Sequence, residues 1–211
     1  MSRFSMAERR LYLCIGLRPN LEEIVRAAVA GGVDVVQLRE KQAEAIPIMR
    51  AAEGLKEICA QAGVPFFVND RVDLAYAVGA DGVHLGQGDI PPTIAREILG
   101  DEILVGRSTH APEELEAALS EPVDYLSAGP VEATPTKPGR QGTGLDYLRF
   151  ASQRSTLPVF VTGGVAPERI APLVAAGAGH FVVVRYIADA PDPHAAARAL
   201  RQAIDQELPG A

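Results

Sequence analysis

A chain of 211 residues, 47% hydrophobic and 22% charged, has the composition of a globular protein long enough to bury a sizeable core. Its net charge of −7 argues against non-specific binding to nucleic acid, and no apolar run approaches the ~20 residues that span a membrane. Cys14 and Cys59 form neither a disulfide framework nor a metal-binding spacing, and residues 1–10 lack the apolar core of a signal peptide. A cytoplasmic protein with both cysteines in the core is the expectation.

In chain order, short β-branched apolar runs fall at Leu11–Ile15, Val33–Leu38, Pro65–Val68, Gly82–Leu85, Ile103–Val105, Val123–Leu126, Pro158–Val161 and His180–Val184. Amphipathic segments separate them: Leu21–Ala30, Ala45–Ala62, Val72–Val78, Pro92–Leu99, Pro112–Leu119, Leu145–Arg154, Pro167–Ala176 and Pro193–Glu207. The runs are continuous rather than alternating, as expected of parallel strands covered on both faces. Several helices carry proline in the first turn, where its missing N–H costs nothing.

Regular β-α alternation means parallel βαβ units, and about eight of them close a (β/α)8 TIM barrel. An open doubly wound sheet is the alternative, but Gly16-Leu17-Arg18-Pro19 does not match its glycine fingerprint. The expected organisation is one catalytic domain over 1–211, with 1–10 a flexible N-terminal extension. The chain does not fix an oligomeric state; a homo-oligomer is compatible with it.

In such a barrel the chemistry sits at the carboxyl ends of the strands. Polar clusters fall there. Gln37-Leu38-Arg39-Glu40-Lys41 closes the second strand, Asn69-Asp70 the third and Gly86-Gln87-Gly88-Asp89 the fourth. Gly106-Arg107-Ser108-Thr109-His110 closes the fifth, and Gly129-Pro130 through Thr134-Pro135-Thr136-Lys137 follows the sixth. Gly163-Gly164 closes the seventh and Arg185 the eighth.

Asp70 and Asp89 suit Mg²⁺, which keeps waters and takes remaining ligands from substrate phosphates. Each also precedes a helix, so each could be an N-cap, a role that does not exclude metal binding. Gly163-Gly164 ahead of the helix at Pro167 reads as a phosphate site or a plain tight turn. Arg39 and Lys41 can bind a diphosphate or neutralise Glu40, and Lys137, with no carboxylate neighbour in its loop, reads as a ligand group. His84, inside an apolar run, reads as a hydrogen-bonded core residue, and His110 as a helix start. These features point to two small phosphorylated substrates. A diphosphate is displaced by a second phosphorylated molecule, or a metal-dependent enzyme isomerises a phosphosugar.

The same segments resemble the thiamine phosphate synthase family. They are Val35-Val36-Gln37-Leu38-Arg39-Glu40-Lys41, Val68-Asn69-Asp70, Asp81-Gly82-Val83-His84-Leu85-Gly86-Gln87, Gly106-Arg107-Ser108-Thr109-His110, the Gly129–Lys137 loop and Gly163-Gly164-Val165. Together they cover nearly the whole chain in the family's order. The resemblance implies that a hydroxymethylpyrimidine diphosphate loses pyrophosphate to the nitrogen of a thiazole phosphate, or of its 2-carboxy form. It implies that Gln37, Leu38, Arg39, Glu40, Lys41, Asn69, Ser108 and Lys137 hold the pyrimidine diphosphate. Asp70 and Asp89 would hold one Mg²⁺. Thr134, Pro135, Thr136 and Gly164, with the backbone of Val184 and Arg185, would hold the thiazole phosphate. Lys137, Ser108 and Arg39 would be the catalytic residues.

Two departures stand out. Many family members carry Ser-Ala-Ile after the eighth strand, where this chain has Arg185-Tyr186-Ile187. The first strand ends in Ile15-Gly16, where the family often has Thr-Asp. A thiazole tautomerase on the same scaffold is the nearest alternative. Tautomerase-like proteins place histidine at the position of Pro130 and tend to lack the acidic pair that this chain keeps.

Overall fold

The structure is a computed structural model describing residues 4–134 and 141–209. Strands β1 (Leu11–Ile15), β2 (Val35–Leu38), β3 (Phe66–Asn69), β4 (Gly82–Leu85), β5 (Leu104–Thr109), β6 (Tyr125–Ala128), β7 (Val159–Val161) and β8 (His180–Val183) are all parallel. They pair in sequence order, and β1 pairs with both β2 and β8, so the sheet is a closed barrel rather than an open one. The helices are α1 (Leu21–Ala30), α2 (Ala45–Ala62), α3 (Val72–Val78), α4 (Pro92–Leu99), α5 (Pro112–Ala118), α6 (Gly144–Arg154), α7 (Pro167–Ala175), α8 (Arg185–Ala188) and α9 (Pro193–Glu207). Proline opens α4, α5, α7 and α9, as the sequence suggests. No described helix is long and apolar enough to cross a membrane.

Strand periodicity sorts side chains onto two buried faces. Leu11, Leu13, Ile15, Val36, Leu38, Val83, Val105, Leu126 and Val161 face the helices in one large apolar cluster. Tyr12, Val35, Phe67, Leu104, Tyr125 and Phe160 face inward and fill the lower lumen with Met6. Large rings fit there because glycines face them. A Cβ on Gly82 would lie 2.1 Å from the Phe67 ring, and one on Gly106 would lie 2.2 Å from the Tyr125 ring.

Most boundaries fall within two residues of the sequence expectation, and two larger differences bear on the site. β5 continues through Gly106, Arg107, Ser108 and Thr109, residues expected in a loop. Their polarity reflects an alternation, with Ser108 toward the lumen and Arg107 toward Glu121, 3.1 Å away. Arg185 does not simply close β8: it opens the extra short helix α8.

Of residues 1–10, expected as a flexible extension, residues 4–10 are described and pack across the amino end of the barrel. Met6 is buried in the lumen, and the Asp34 carboxylate accepts the Arg10 and Leu11 N–H groups at 2.8 and 2.9 Å. The His180 ring bonds to the Arg9 carbonyl. Burial, reinforced by the Arg10 charge, holds the His180 pKa below its ordinary 6.5. The folded state therefore binds this proton less readily than the unfolded chain, so stability is lost as pH falls below about 6.5. His180→Gln keeps a donor without the titration. It is expected to remove a drop of a few degrees in melting temperature between pH 7 and pH 5. An unaltered pH dependence of the melt would remove His180 from this account.

Candidate functional site

A cavity of about 630 Å³ opens at the carboxyl ends of the strands. Its floor is the upper layer of the lumen, where inward positions turn polar: Cys14, Gln37, Asn69, His84, Ser108 and Ser127. Buried polar groups require partners, and these form a chain. The Cys14 thiol donates to Gln37 Oε1 (3.2 Å), and Gln37 Nε2 donates to the Tyr12 hydroxyl (2.7 Å). The Tyr12 and Tyr125 hydroxyls are 3.0 Å apart, and Tyr125 lies 2.9 Å from His84 Nδ1. His84 Nε2 is 2.9 Å from Ser108 Oγ. Burial, the dominant cause, pushes both phenols above their ordinary pKa, so both keep their protons at neutral pH. Asn69 Nδ2 is buried without a hydrogen-bond partner among the described residues, and the residue lines the cavity. A donor so placed suits an acceptor on a ligand.

Carboxylates and cations meet on the β2–β4 side of the mouth. Lys41 Nζ lies 2.8 Å from Asp70 Oδ2. Asp70 occupies the left-handed region at φ 61, which Asp tolerates better than most residues. Its side chain caps no helix: Arg71 is the N-cap of α3, without a side-chain cap bond. Asp89 accepts the Gly86 N–H at 2.6 Å, and α4 starts beyond it at Pro92. The bland capping role is therefore absent at both positions, because each carboxylate turns to other partners. The two aspartates interact with each other. Burial opposes ionisation of Asp70, but hydrogen bonds with Asp89 and Lys41 and the charges of Lys41 and Arg39 bring its pKa below the ordinary range. Burial and the neighbouring Asp70 push Asp89 above it.

The β6–β8 side is built differently. Gly163 and Gly164 take φ values of 86 and 75, so the turn after β7 is left-handed twice in succession. A Cβ on Gly163 would lie 2.6 Å from Pro130 Cβ and 2.9 Å from the Glu132 carbonyl oxygen. Pro130, Glu132, Thr134, Thr162, Val184 and Arg185 share the cavity wall. Glu132 forms an ion pair with Arg169 of α7 across the cavity edge.

Measured against the sequence expectations, Gln37, Arg39, Asn69, Ser108, Thr134, Gly164, Val184 and Arg185 come together around the cavity. Lys41, Asp70 and Asp89 stand beside it, outside the lining. Two expected contacts do not involve side chains at the cavity. Leu38 is an outward strand position, buried against the helices. Glu40 accepts the Lys41 and Gln42 N–H groups of its own turn, at 2.8 and 2.9 Å, which with further backbone bonds lowers its pKa against a smaller opposing effect of burial. Pro135, Thr136 and Lys137 lie outside the described residues. His84 is the buried, hydrogen-bonded residue expected of it, yet it also lines the cavity. Tyr12, Tyr125, Glu132 and Arg169 were missed. A signal existed for the tyrosines: polar atoms recur at every second position of the apolar runs, at Tyr12 and Cys14 and at Tyr125 and Ser127.

Comparisons with known proteins agree with this architecture. The family model described as thiamine monophosphate synthase matches residues 11–187. The chain is 50% identical over 201 residues to a thiamine-phosphate synthase of Thermus thermophilus, covering 92% of this chain and 97% of that one. It is 48% identical to the thiamine-phosphate synthase of Acidothermus cellulolyticus, with 92% and 93% covered. The solved structure of thiamine phosphate pyrophosphorylase from Pyrococcus furiosus superposes with a TM-score of 0.86 at 32% identity, covering 94% and 96% of the two chains. By the matched family model and these identities, the chain belongs to the thiamine monophosphate synthase family.

Proposed function

We propose that residues 1–211 act as one catalytic domain with the activity of thiamine-phosphate synthase. It joins 4-amino-2-methyl-5-(diphosphooxymethyl)pyrimidine to 4-methyl-5-(2-phosphoethyl)thiazole and releases pyrophosphate. One observation carries the reading. A rim of cations and carboxylates on β2–β4 faces a double-glycine turn beside β7 and β8, four strands away around one mouth. Two anionic groups can then be held at opposite sides of the cavity, with reacting atoms between them.

In this reading Asn69, Gln37 and Ser108 hold the pyrimidine ring over the floor. Arg39 and Lys41 face its diphosphate. Asp70 and Asp89 suit a hard divalent cation such as Mg²⁺. Two neighbouring carboxylates that perturb each other's protonation gain from a shared cation, and oxygen ligands match its preference. Among the described residues no third His, Cys, Asp or Glu joins them, so water and diphosphate oxygens would complete the shell. When bound, the ion supplies charge neutralisation for the departing pyrophosphate. The turn at Gly163 and Gly164, with Thr134, Val184 and Arg185, holds the thiazole phosphate. Departure of pyrophosphate leaves a pyrimidine methylene cation that the ring amino group stabilises, and the thiazole nitrogen adds to it. No general base is needed for that displacement. Incubation with both substrates and Mg²⁺ should yield thiamine phosphate and pyrophosphate together. Formation of neither would reject the assignment.

The family resemblance supports a role for Lys137 at the leaving group. Charge there appears mainly in the transition state, so Lys137→Ala should slow the single-turnover step on the order of tenfold, the scale of one charge-assisted hydrogen bond. Thiazole phosphate affinity should change little. An unchanged rate with weakened thiazole phosphate binding would put Lys137 at the other site.

A further inference from the structure

The hydrogen-bond chain under the cavity has a direction, and that direction reaches the ligand. Each phenol keeps its single proton, so protons along Gln37, Tyr12, Tyr125, His84 and Ser108 must run one way or the other. The Gln37 carboxamide points to one of the two directions. Its oxygen faces the Cys14 thiol, a donor, and its nitrogen faces the Tyr12 oxygen. An amide nitrogen only donates, so Tyr12 accepts there; its own buried proton also needs an acceptor, and the Tyr125 oxygen 3.0 Å away supplies one. Tyr125, accepting from Tyr12, gives its proton to His84 Nδ1. An accepting Nδ1 leaves the ring proton on Nε2, which donates to Ser108 Oγ. The Ser127 hydroxyl also donates weakly toward Ser108 Oγ, at 3.5 Å. Ser108 is thus filled as an acceptor from below, and its own proton is directed into the cavity that it lines.

We propose that Tyr125, backed by Tyr12, is a positioning residue. It fixes the Nε2–H tautomer of His84 and thereby makes Ser108 a hydrogen-bond donor toward the pyrimidine diphosphate; this rests on the substrate assignment above. The ring nitrogens and diphosphate oxygens of that substrate are acceptors. In the reverse polarity Ser108 would spend its proton on His84 and could serve only the ring amino group, the substrate's one donor, and none of these acceptors. Gly106 serves the same device, since a Cβ there would strike the Tyr125 ring 2.4 Å from its hydroxyl oxygen.

The test is ¹⁵N NMR of histidine-labelled protein, with the His84 signals assigned by their loss in His84→Gln, alongside kinetics. The parent should show a neutral His84 protonated on Nε2. Tyr125→Phe removes only the hydroxyl and should shift that signature toward the Nδ1–H form or a mixture. It should also lower kcat/KM for the pyrimidine diphosphate on the order of tenfold, with KM for thiazole phosphate within about twofold. An Nδ1–H tautomer in the parent overturns the proposal. So does Tyr125→Phe that folds, melts normally and leaves both tautomer and kinetics unchanged. Should Tyr125→Phe not fold, the parent tautomer and Tyr12→Phe, expected to give a mixed signature, decide it. The tautomer needs no turnover, so a parent that shows Nε2–H but makes no thiamine phosphate overturns the substrate assignment, not the polarity of the chain.

Discussion

Asp70→Asn is expected to lower turnover by about 10² or more, and Asp89→Asn by a similar factor. The amide is chosen over alanine for a structural reason. Asp70 sits at φ 61, a region that Asn also tolerates, whereas alanine would add backbone strain to the loss of charge. The folded state should hardly notice the change. Asp70 is 19% exposed, but its partner Lys41 is 53% exposed, and a pair open to water on one side contributes modestly to stability. The loss should therefore appear in the chemical step, where one withdrawn charge-stabilising interaction is worth about 10²–10³ in rate. The Mg²⁺ concentration needed for half-maximal rate should rise in both variants. Full activity after removal of bound metal and in excess chelator would sink this account, as would an unchanged Mg²⁺ dependence.

The barrel was legible from the sequence because strand runs and helix stripes repeat with little interruption. The site was legible in part, because polar residues gather at strand ends and few other places in such a barrel can hold them. What was not legible has identifiable causes. Ser108 looked like a loop residue because glycine, serine and threonine interrupt an apolar run. Inside a barrel those residues are the strand, facing a polar lumen. Tyr12 and Tyr125 fall inside apolar runs, and their rings are core. Only the tertiary register, 113 residues apart, brings the hydroxyls within 3.0 Å. Asp70 and Asp89 could not be separated from helix caps by spacing. The left-handed Asp70 backbone and the Gly86–Asp89 turn take both carboxylates away from the helix starts, and neither conformation is visible in residue type alone. Glu40 enters the expected site through the family resemblance alone, and in the structure its Oε1 accepts the Lys41 and Gln42 N–H groups of its own turn.

Gly164→Val should raise the Michaelis constant for thiazole phosphate by about 10², while pyrimidine diphosphate binding stays within about twofold. Two effects combine. At φ 75 a β-branched residue is strained by roughly 1–2 kcal/mol, which distorts the turn that would face the phosphate. A Cβ there would also lie 2.7 Å from Glu132 Oε2, displacing that side chain and its partner Arg169 at the cavity edge. The clash itself is soft, because a carboxylate tip can move, so the protein should still fold. Gly163 is the poorer probe. Its added Cβ would meet Pro130 and the Glu132 backbone, and the loss of fold would mask any loss of binding. The favourable field at this turn comes from α7, whose amino end begins three residues on at Pro167. That field depends on backbone placement, not on a side chain. Arg185→Ser should accordingly cost much less than Gly164→Val, since the contact assigned to position 185 is mainly through its backbone. Separate titrations of the two substrates into both variants give the comparison. If Gly164→Val binds thiazole phosphate as the parent does, the phosphate lies elsewhere on the rim and the orientation of both substrates must be reversed.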